Sequence, residues 1–460
     1  MSSGKHLNGV HVDHCKNTSG IAIVPMPIPE KVYIPMSQHI GAPCQPVVQV
    51  GDHVKLGQLI GDNAAPMCAP IHASVSGDVV AIEKFMTSSG RVDTNVVIQS
   101  DGKQELAETV QAPVVTDKAS FLAAVRASGL VGLGGASFPT HIKYNPSNPD
   151  EVDTLIVNGA ECEPYITVDE MTMIAHAADI VEGCKAIMKY LNLKRTIIGI
   201  ESNKPNAIAA FNEVLKETKE DITVFELRQI YPQGAERVII YECTGKHLIA
   251  GKLPADVGVI VSNCTSILKL QQFLATGMPL VSKSLTVDGN IVAKPQNVEV
   301  PIGTKISEII EFCGGLTDEA GKILLGGPMM GRAIPTDDFA VTKGNNAILC
   351  FNKAYAQQNP ETACISCGRC VRGCPMNLMP TKLSRAFALK DVDMLKKYNV
   401  MSCMDCGCCT YSCPARKQLN FEIKQAKGLV MAADKAAAEK AKKKAEKEAA
   451  EAAAKEGGKN

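Results

Sequence analysis

The spacing of apolar residues changes several times along this chain. Residues 1 to about 40 carry Pro25, Pro27, Pro29 and Pro35 with little periodicity, and read as an extended, turn-rich opening. PVVQVGDHVKLGQLIGDN and APIHASVSGDVVAIEKF then set short β-branched runs between Gly-Asp and Ser-Gly pairs. That pattern predicts small antiparallel strands closed by tight turns. From about 115 to 275, helical spacing over 119–128, 171–191 and 205–219 alternates with the apolar runs TLIVNG, RTIIGIE, ITVFEL and GVIVSN. Such alternation predicts βαβ units and a mostly parallel sheet. Asn158-Gly159 and Ser262-Asn263 fall at strand ends, the edge where open α/β sheets bind ligands. From about 280 to 335 the pattern is strand, turn at Asp288-Gly289, strand, then a short helix closing at Gly314-Gly315. Two cysteine runs follow, joined by a helical stretch over 381–398. The last thirty residues are Ala, Lys and Glu, which favour helix but present no apolar face to pack. They read as a solvated, partly helical tail.

Composition narrows the class. The chain has 460 residues, with 45% hydrophobic and 21% charged positions, which is ordinary for a globular protein of several domains. A formal net charge of zero and 4% aromatics argue against a nucleic-acid partner. There is no apolar run of about 18 residues and so no expected spanning helix. The start, MSSGKHLNGVHVDHC, has no apolar stretch suited to secretion, so a cytosolic chain is expected. Its 18 cysteines then point to metal ligation rather than disulfides, because the cytosol is reducing.

Two runs carry that chemistry. Cys364, Cys367, Cys370 and Cys374-Pro375 form C-x2-C-x2-C-x3-C-P, and Cys403, Cys406, Cys409 and Cys413-Pro414 repeat it. Three cysteines at this spacing wrap three corners of a cubane, and the fourth reaches the other cluster. This assigns Cys364, Cys367, Cys370 and Cys413 to one [4Fe–4S] cluster, and Cys403, Cys406, Cys409 and Cys374 to a second. Cys408 is extra. Zinc also accepts CxxC pairs, but the doubled run favours iron–sulfur.

Four polar loops mark the α/β stretch. Gly132-Leu-Gly134-Gly135-Ala136-Ser137-Phe138-Pro139-Thr140-His141-Ile142-Lys143 is glycine-rich, so its amides can approach a phosphate or flavin closely, and Lys143 can neutralise a phosphate. Asn158-Gly159-Ala160-Glu161-Cys162-Glu163 sets two carboxylates at a strand exit, where they could hold ribose or ribityl hydroxyls or sense a nicotinamide. Tyr231-Pro-Gln233-Gly234-Ala-Glu236 and Ser262-Asn263-Cys264 complete the set.

In order and spacing these loops resemble the flavin-binding subunit of respiratory complex I. Ser137 and His141 replace glycines of that pattern, Ala160 an aspartate and Ala235 a glutamate. The resemblance implies FMN held by Gly132, Gly134, Gly135, Lys143, Asn158 and Asn263. It implies NADH stacked near Glu161, Glu163 and Glu236, the expected catalytic carboxylates, with Tyr231 and Gly234 on the same cofactor loop. The 46–85 stretch resembles a lipoyl- or biotinyl-type sandwich, with Asn63-Ala64-Ala65-Pro66-Met67 where those domains carry a cofactor lysine. It is expected to be a structural copy without a swinging arm. The 280–335 stretch resembles the β-grasp module called SLBB. The closer resemblance, over nearly the whole chain, is to the RnfC family of the Rnf electron-transport complex, through GLGGASFPTHIK, NGAECEPYITVD, YPQGAE and the doubled ferredoxin run.

That resemblance implies a multidomain α/β plus β chain. Its expected parts are a barrel-sandwich at 1–112, a Rossmann-like FMN/NADH domain at 113–275, an SLBB domain at 276–340, a helical di-[4Fe–4S] domain at 350–428 and a charged tail at 429–460. It implies an NAD-dependent oxidoreductase subunit on the cytoplasmic face of the inner membrane. Its partners would be the other Rnf subunits, membrane and ferredoxin-like, and indirectly ferredoxin, with transfer coupled to Na+ or H+ movement. The alternatives are a corrinoid reductase of the propanediol-utilisation type, with the same domain order, and a non-catalytic iron–sulfur relay.

Overall fold

A computed structural model describes residues 6–87, 90–357 and 359–457. The chain divides into two units: Met1–Gly4, His11–Leu248 and Lys252–Gln358 form one, and Asn359–Asn460 with Lys5–Val10 and Ile249–Gly251 the other.

In the first unit the proline-rich opening supplies β1 (Ile23–Pro25) and β2 (Lys31–Pro35). There follow β3 (Gln45–Pro46), β4 (His53–Val54), β5 (Leu59–Asp62), β6 (Ile71–His72), β7 (Gly77–Met86) and β8 (Val92–Ser100). They pair as β2-β8-β7-β4 and β3-β5-β6. Val32 and Ile34 face inward with Ile60, Ile71, Val79, Val96 and Ile98 to share one core. The alternation of buried and exposed positions is what fixes these strands as a sandwich.

The α/β layer comprises α1 (Lys118–Ala127), α2 (Thr140–Lys143), β9 (Thr154–Gly159), α3 (Val168–Ala175), α4 (Ala177–Leu191), β10 (Arg195–Glu201), α5 (Pro205–Leu215), β11 (Ile222–Leu227), α6 (Glu236–Thr244), β12 (Val259–Asn263) and α7 (Cys264–Thr276). Its sheet runs β11-β10-β9-β12, all parallel. Successive residues of β9 serve opposite faces: Leu155 and Val157 pack into one core, Ile156 into the other. A strand covered on both faces needs a continuous apolar run, which is what TLIVNG supplies. The helix expected over 171–191 is two helices, broken at His176. α3 is tied to the loops at the strand ends, whereas α4 packs along α7, so one straight helix cannot serve both.

The remaining strands are β13 (Ser282–Gly289), β14 (Gln296–Pro301), β15 (Ala320–Leu325), β16 (Arg332–Ile334) and β17 (Ala347–Asn352), with α8 (Ile306–Phe312) and α9 (Lys353–Ala356). Their sheet also recruits β1, in the order β1-β14-β13-β17-β15-β16. β1 runs parallel to β14, with Ile23 opposite Asn297. The opening segment is thus shared between this sheet and the sandwich.

The second unit contains α10 (Arg369–Arg372), α11 (Pro380–Ala388), α12 (Val392–Lys397), α13 (Cys408–Tyr411) and α14 (Leu419–Gly457). The helix expected over 381–398 is again two: Lys390 adopts φ +54°, and the Asp391 side chain caps α12 by accepting the Met394 amide. Leu419, Ile423, Ala426 and Val430 of α14 are buried with Leu383 and Leu395. Beyond Val430 the helix continues to Gly457, into the Ala/Lys/Glu tail, with its side chains mostly exposed through Ala445. The last three residues of the tail lie outside the described residues. Among the described residues no helix is long and apolar enough to cross a membrane.

Candidate functional site

In the parallel sheet the chain departs from β9 to β10 and β11 on one side and to β12 on the other. The strand order therefore reverses between β9 and β12, where such sheets open a crevice. Asn158 and Asn263 end these two strands and are register partners. Asn263 caps α7, its Oδ1 accepting the Thr265 amide at 3.0 Å, and its Nδ2 donates to Asp169 at 2.7 Å. Asn158 donates to the Gly234 carbonyl at 2.8 Å and so draws in the loop before α6.

The glycine loop closes one side of this crevice. The Leu133 amide donates to Ser266 Oγ in the first turn of α7 at 2.9 Å. A β-carbon on Gly134 would sit 3.5 Å from the Asn263 β-carbon, while Gly135, at φ +104°, has open space on that side. This is a bare backbone rim beside the start of a helix, the arrangement that accepts a phosphate. Lys143 on α2 donates to the Val261 carbonyl of β12 at 2.8 Å. Burial lowers its pKa and the charge of Glu236 opposes that shift. Glu236 is exposed in the first turn of α6. The structure therefore brings Gly132, Gly134, Gly135, Lys143, Asn158, Gly234 and Asn263 around one crevice.

Glu161 and Glu163 are engaged differently from what their place at a strand exit suggests. The Glu161 carboxylate accepts the Asp169 and Glu170 amides at the start of α3, at 2.6 and 3.2 Å. Burial raises its pKa to about 8, against the opposing charge of Lys16. Glu163 accepts the Met329 amide at 3.0 Å and the Tyr231 hydroxyl at 3.4 Å. A β-carbon on Gly327 would lie 2.1 Å from Glu163 Oε2, so the 326–331 loop accommodates this carboxylate only because it has glycine there. Burial pushes the Glu163 pKa up as well. Both carboxylates fix loops in place around the crevice.

Three residues that the sequence did not point to support these loops. Lys16 Nζ donates to the carbonyls of Glu161 and Glu163, each at 2.9 Å, and to that of Ile166. Lys204, paired with Glu201 at 3.3 Å with both side chains 1% exposed, donates to the Ala160 carbonyl at 2.8 Å. Asp169 joins Asn263 to Thr265. A lysine far along the chain from its loop gives no local signal. Asp169, by contrast, lies within the ITVDE string.

In the second unit two cavities are lined by sulfur. Cys364, Cys367, Cys370 and Cys413 line one, and Cys374, Cys403, Cys406, Cys408 and Cys409 line the other. Each run thus contributes its fourth cysteine to the cavity of the other. Backbone amides point at the sulfurs: Ser366 at Cys364, Leu378 at Cys374 and Asp405 at Cys403, each at 3.4 Å. Such N–H···S contacts accompany iron–sulfur ligation and tune its potential. The Cys408 thiol hydrogen-bonds Cys406 and thereby lowers the Cys406 pKa. Burial raises that of Cys403 to about 12. Four-thiol donor sets with amide donors fit a cubane cluster, and the bare glycine rim beside the start of α7 has the chemistry to accept a phosphate.

The chain matches four family models. They are the RnfC barrel sandwich hybrid domain over residues 5–103, the Nuo51 FMN-binding domain over 125–272, the SLBB domain over 284–333 and the 4Fe-4S dicluster domain over 357–414. It is 42% identical over 431 residues to the C subunit of the proton-translocating ferredoxin:NAD(+) oxidoreductase complex of Clostridium ljungdahlii, covering 92% of this chain and 94% of that one. It is 39% identical over 439 residues to the C subunit of the Na(+)-translocating ferredoxin:NAD(+) oxidoreductase complex of Acetobacterium woodii, covering 94% and 98%. A third relative is the C subunit of the ion-translocating oxidoreductase complex of Rhodobacter capsulatus, 37% identical over 398 residues, with 85% and 77% covered.

Proposed function

The chain belongs to the RnfC family, the C subunits of ferredoxin:NAD+ oxidoreductase complexes, and we propose that it is the member of its complex that exchanges electrons with NAD(H). It is an oxidoreductase subunit with an FMN-binding domain and a [4Fe–4S] dicluster domain, and it works with the other subunits of the complex. The observation that carries the residue assignments is the convergence of the glycine loop, Lys143, Asn158 and Asn263 on the β9/β12 switch point.

FMN held here would supply the exchange between the electron pair of a nicotinamide and the single electrons of the clusters. On this reading Gly134 and Gly135 offer backbone amides to the flavin phosphate, and Gly132, whose amide donates to the Phe138 carbonyl at 2.9 Å, closes the loop that presents them. Lys143 supplies the positive charge there, and Asn158 and Asn263 hold the rim. Glu161 and Glu163 fix the loop that borders the nicotinamide, Tyr231 and Gly234 hold its far side, and Glu236 faces the substrate from α6. Cys364, Cys367, Cys370 and Cys413 hold one cluster, and Cys403, Cys406, Cys409 and Cys374 the other. The domain limits follow as 1–112, 113–275, 276–340, 350–428 and 429–460, with β1 lent to the SLBB sheet. The chain docks peripherally on the cytoplasmic face of the inner membrane through the membrane subunits. Relatives are named for either proton or Na+ translocation.

The test is NADH oxidation by the purified chain, loaded with FMN and reconstituted with iron and sulfide, using an artificial acceptor. NADH is expected to bleach the flavin absorbance. A flavin-loaded chain whose absorbance NADH leaves untouched would sink the reading.

A further inference from the structure

Away from the flavin crevice and the cluster cavities, one group of soft donors is gathered inside the sandwich. His39, Cys44 and Cys68 each offer one ligand atom, and these atoms lie within 4.8 Å of one another. Cys44 Sγ is 3.4 Å from Cys68 Sγ and 3.7 Å from His39 Nε2. Ligands at the corners of a tetrahedral zinc site, about 2.0–2.3 Å from the metal, stand roughly 3.3–3.8 Å apart. The two sulfurs are buried and the imidazole is half-buried beside exposed Ile40 and Gly41, which leaves a way in from solvent.

The backbone holds this arrangement. His39 follows β2, Cys44 precedes β3 and Cys68 lies between β5 and β6. The Cys44 amide donates to the Met36 carbonyl at 2.9 Å, and the Ala42 amide to the Met67 carbonyl at 3.1 Å. Gly41, at φ +127°, makes the two loops meet: a β-carbon there would lie 2.1 Å from the Met67 carbonyl oxygen. His39 Nδ1 is 3.3 Å from the Ile40 carbonyl, which selects the tautomer that donates from Nδ1; the Nε2 lone pair accepts the Ala69 amide at 3.2 Å with Cys44 Sγ 3.7 Å away, so metal binding exchanges that hydrogen bond for a bond to the ion. Metal-bound imidazoles are oriented by this kind of hydrogen bond from the other ring nitrogen. Asp62 Oδ1 lies 3.9 Å from Cys68 Sγ but is committed to Arg126 at 2.7 Å, so the protein offers three ligands.

We propose that His39, Cys44 and Cys68 bind one soft, closed-shell d10 cation, Zn2+ or Cu+. Two thiolates and an imidazole select such ions over Mg2+ or Ca2+. Binding displaces the two thiol protons. The resulting dithiolate complex is neutral with Zn2+ and carries one negative charge with Cu+. Buried Lys343, whose Nζ donates to the Pro70 and Gly129 carbonyls, sets a positive charge beside the segment that carries Cys68 and is placed to balance the negative one. The ion would staple the turn at 63–67, where lipoyl-type domains carry their cofactor, to the segment after β2. Both flank the glycine loop: the Ile40 amide donates to the Ser137 carbonyl at 3.1 Å, and His141 Nε2 is 3.4 Å from the Pro66 carbonyl.

The experiment uses the full chain with FMN and clusters in place, so that the cluster cysteines are occupied. It is dialysed free of loose metal and offered Zn2+ or Cu+ anaerobically, separately and in equimolar competition. Zinc, copper and iron per chain are then counted by elemental mass spectrometry. The expected result is one retained equivalent of Zn or Cu beyond the iron, with two sulfur neighbours and one nitrogen in its X-ray absorption spectrum. Cys68→Ser and His39→Asn should each weaken retention at least about tenfold while iron and flavin contents stay at wild-type values, which also shows that the variants fold. Competition identifies which of the two ions the site prefers. No retained equivalent in a chain with full clusters would overturn the proposal. So would retention that both variants leave unchanged, or a Cys44–Cys68 disulfide found by peptide mapping of the isolated chain.

Discussion

A single ammonium group, Lys16 Nζ, gathers the carbonyls of Glu161, Glu163 and Ile166. Replacing it with methionine leaves three part-buried acceptors without their donor, a loss of about 3 kcal/mol by the usual worth of charge-assisted hydrogen bonds. Lys16→Met is expected to lower both the calorimetric midpoint and the flavin retained per chain. Wild-type flavin content in the variant would mean that these loops hold without the tie. His72 governs a response to acid. Burial, aided by the charge of Lys343 and opposed by that of Asp62, lowers its pKa to about 3. Among the described residues its Nδ1 has no hydrogen-bond partner. The unfolded chain takes up a proton below about pH 6.5 while the folded chain refuses it. Stability therefore falls as pH drops from 6.5 toward 3, by up to about 1.4 kcal/mol per unit, and this group has no effect above that window. His72→Asn should flatten the dependence of the urea midpoint on pH over that range. An equally steep profile in the variant would assign the acid response elsewhere. The contrast in legibility lies at this scale. The cluster cysteines announce themselves because their spacing is local. Lys16 meets its loop across 145 residues and leaves no trace in the pattern around it.

At the scale of elements, the alternation of apolar runs and helical spacing located β9, β10, β11 and β12, because strands buried on both faces admit little else. The breaks at His176 and between α11 and α12 were not legible from periodicity, which continues through both. Asp391 was the available sign of the second, as a helix-capping residue inside a helical run. The recruitment of β1 into a distant sheet was equally hidden, since a three-residue strand carries no period of its own. Asn263 tests how far one cap supports the crevice. Asn263→Ala removes the acceptor for the Thr265 amide and the donor to Asp169, so it should cost about 1–2 kcal/mol. The measured quantities are the urea midpoint of the α/β transition and the flavin dissociation constant. A weaker midpoint with unchanged flavin affinity would separate the cap from the binding site.

At the scale of the whole molecule, the crossing of cysteines makes each cluster cavity depend on both runs. Cys413→Ser is expected to remove about half of the iron, the share of one of two cubanes. The double variant with Cys364→Ser should lose no more than either single variant. If the double variant instead empties both sites, each run supplies all four of its own ligands. The fold class and domain order were legible because the α/β stretch alternates strand and helix periods and because the turn patterns, polar loops and cysteine runs carry a family resemblance in order along the chain. What escaped was how much the domains lend one another: Lys16 to the α/β loops, β1 to the last sheet and the 326–331 loop to Glu163. The pairing of Ile23 with Asn297 also sets a schedule for biosynthesis. As the chain leaves the ribosome, its opening segment must wait for roughly two-thirds of the polypeptide before its partner strand exists. Until then Glu163 lacks the Met329 amide and β1 lacks its pairing strand, although β2 is already held by β8. A nascent chain stalled after residue 275 would therefore carry every glycine-loop residue while lacking these two supports, and it is expected to retain less FMN than the full chain.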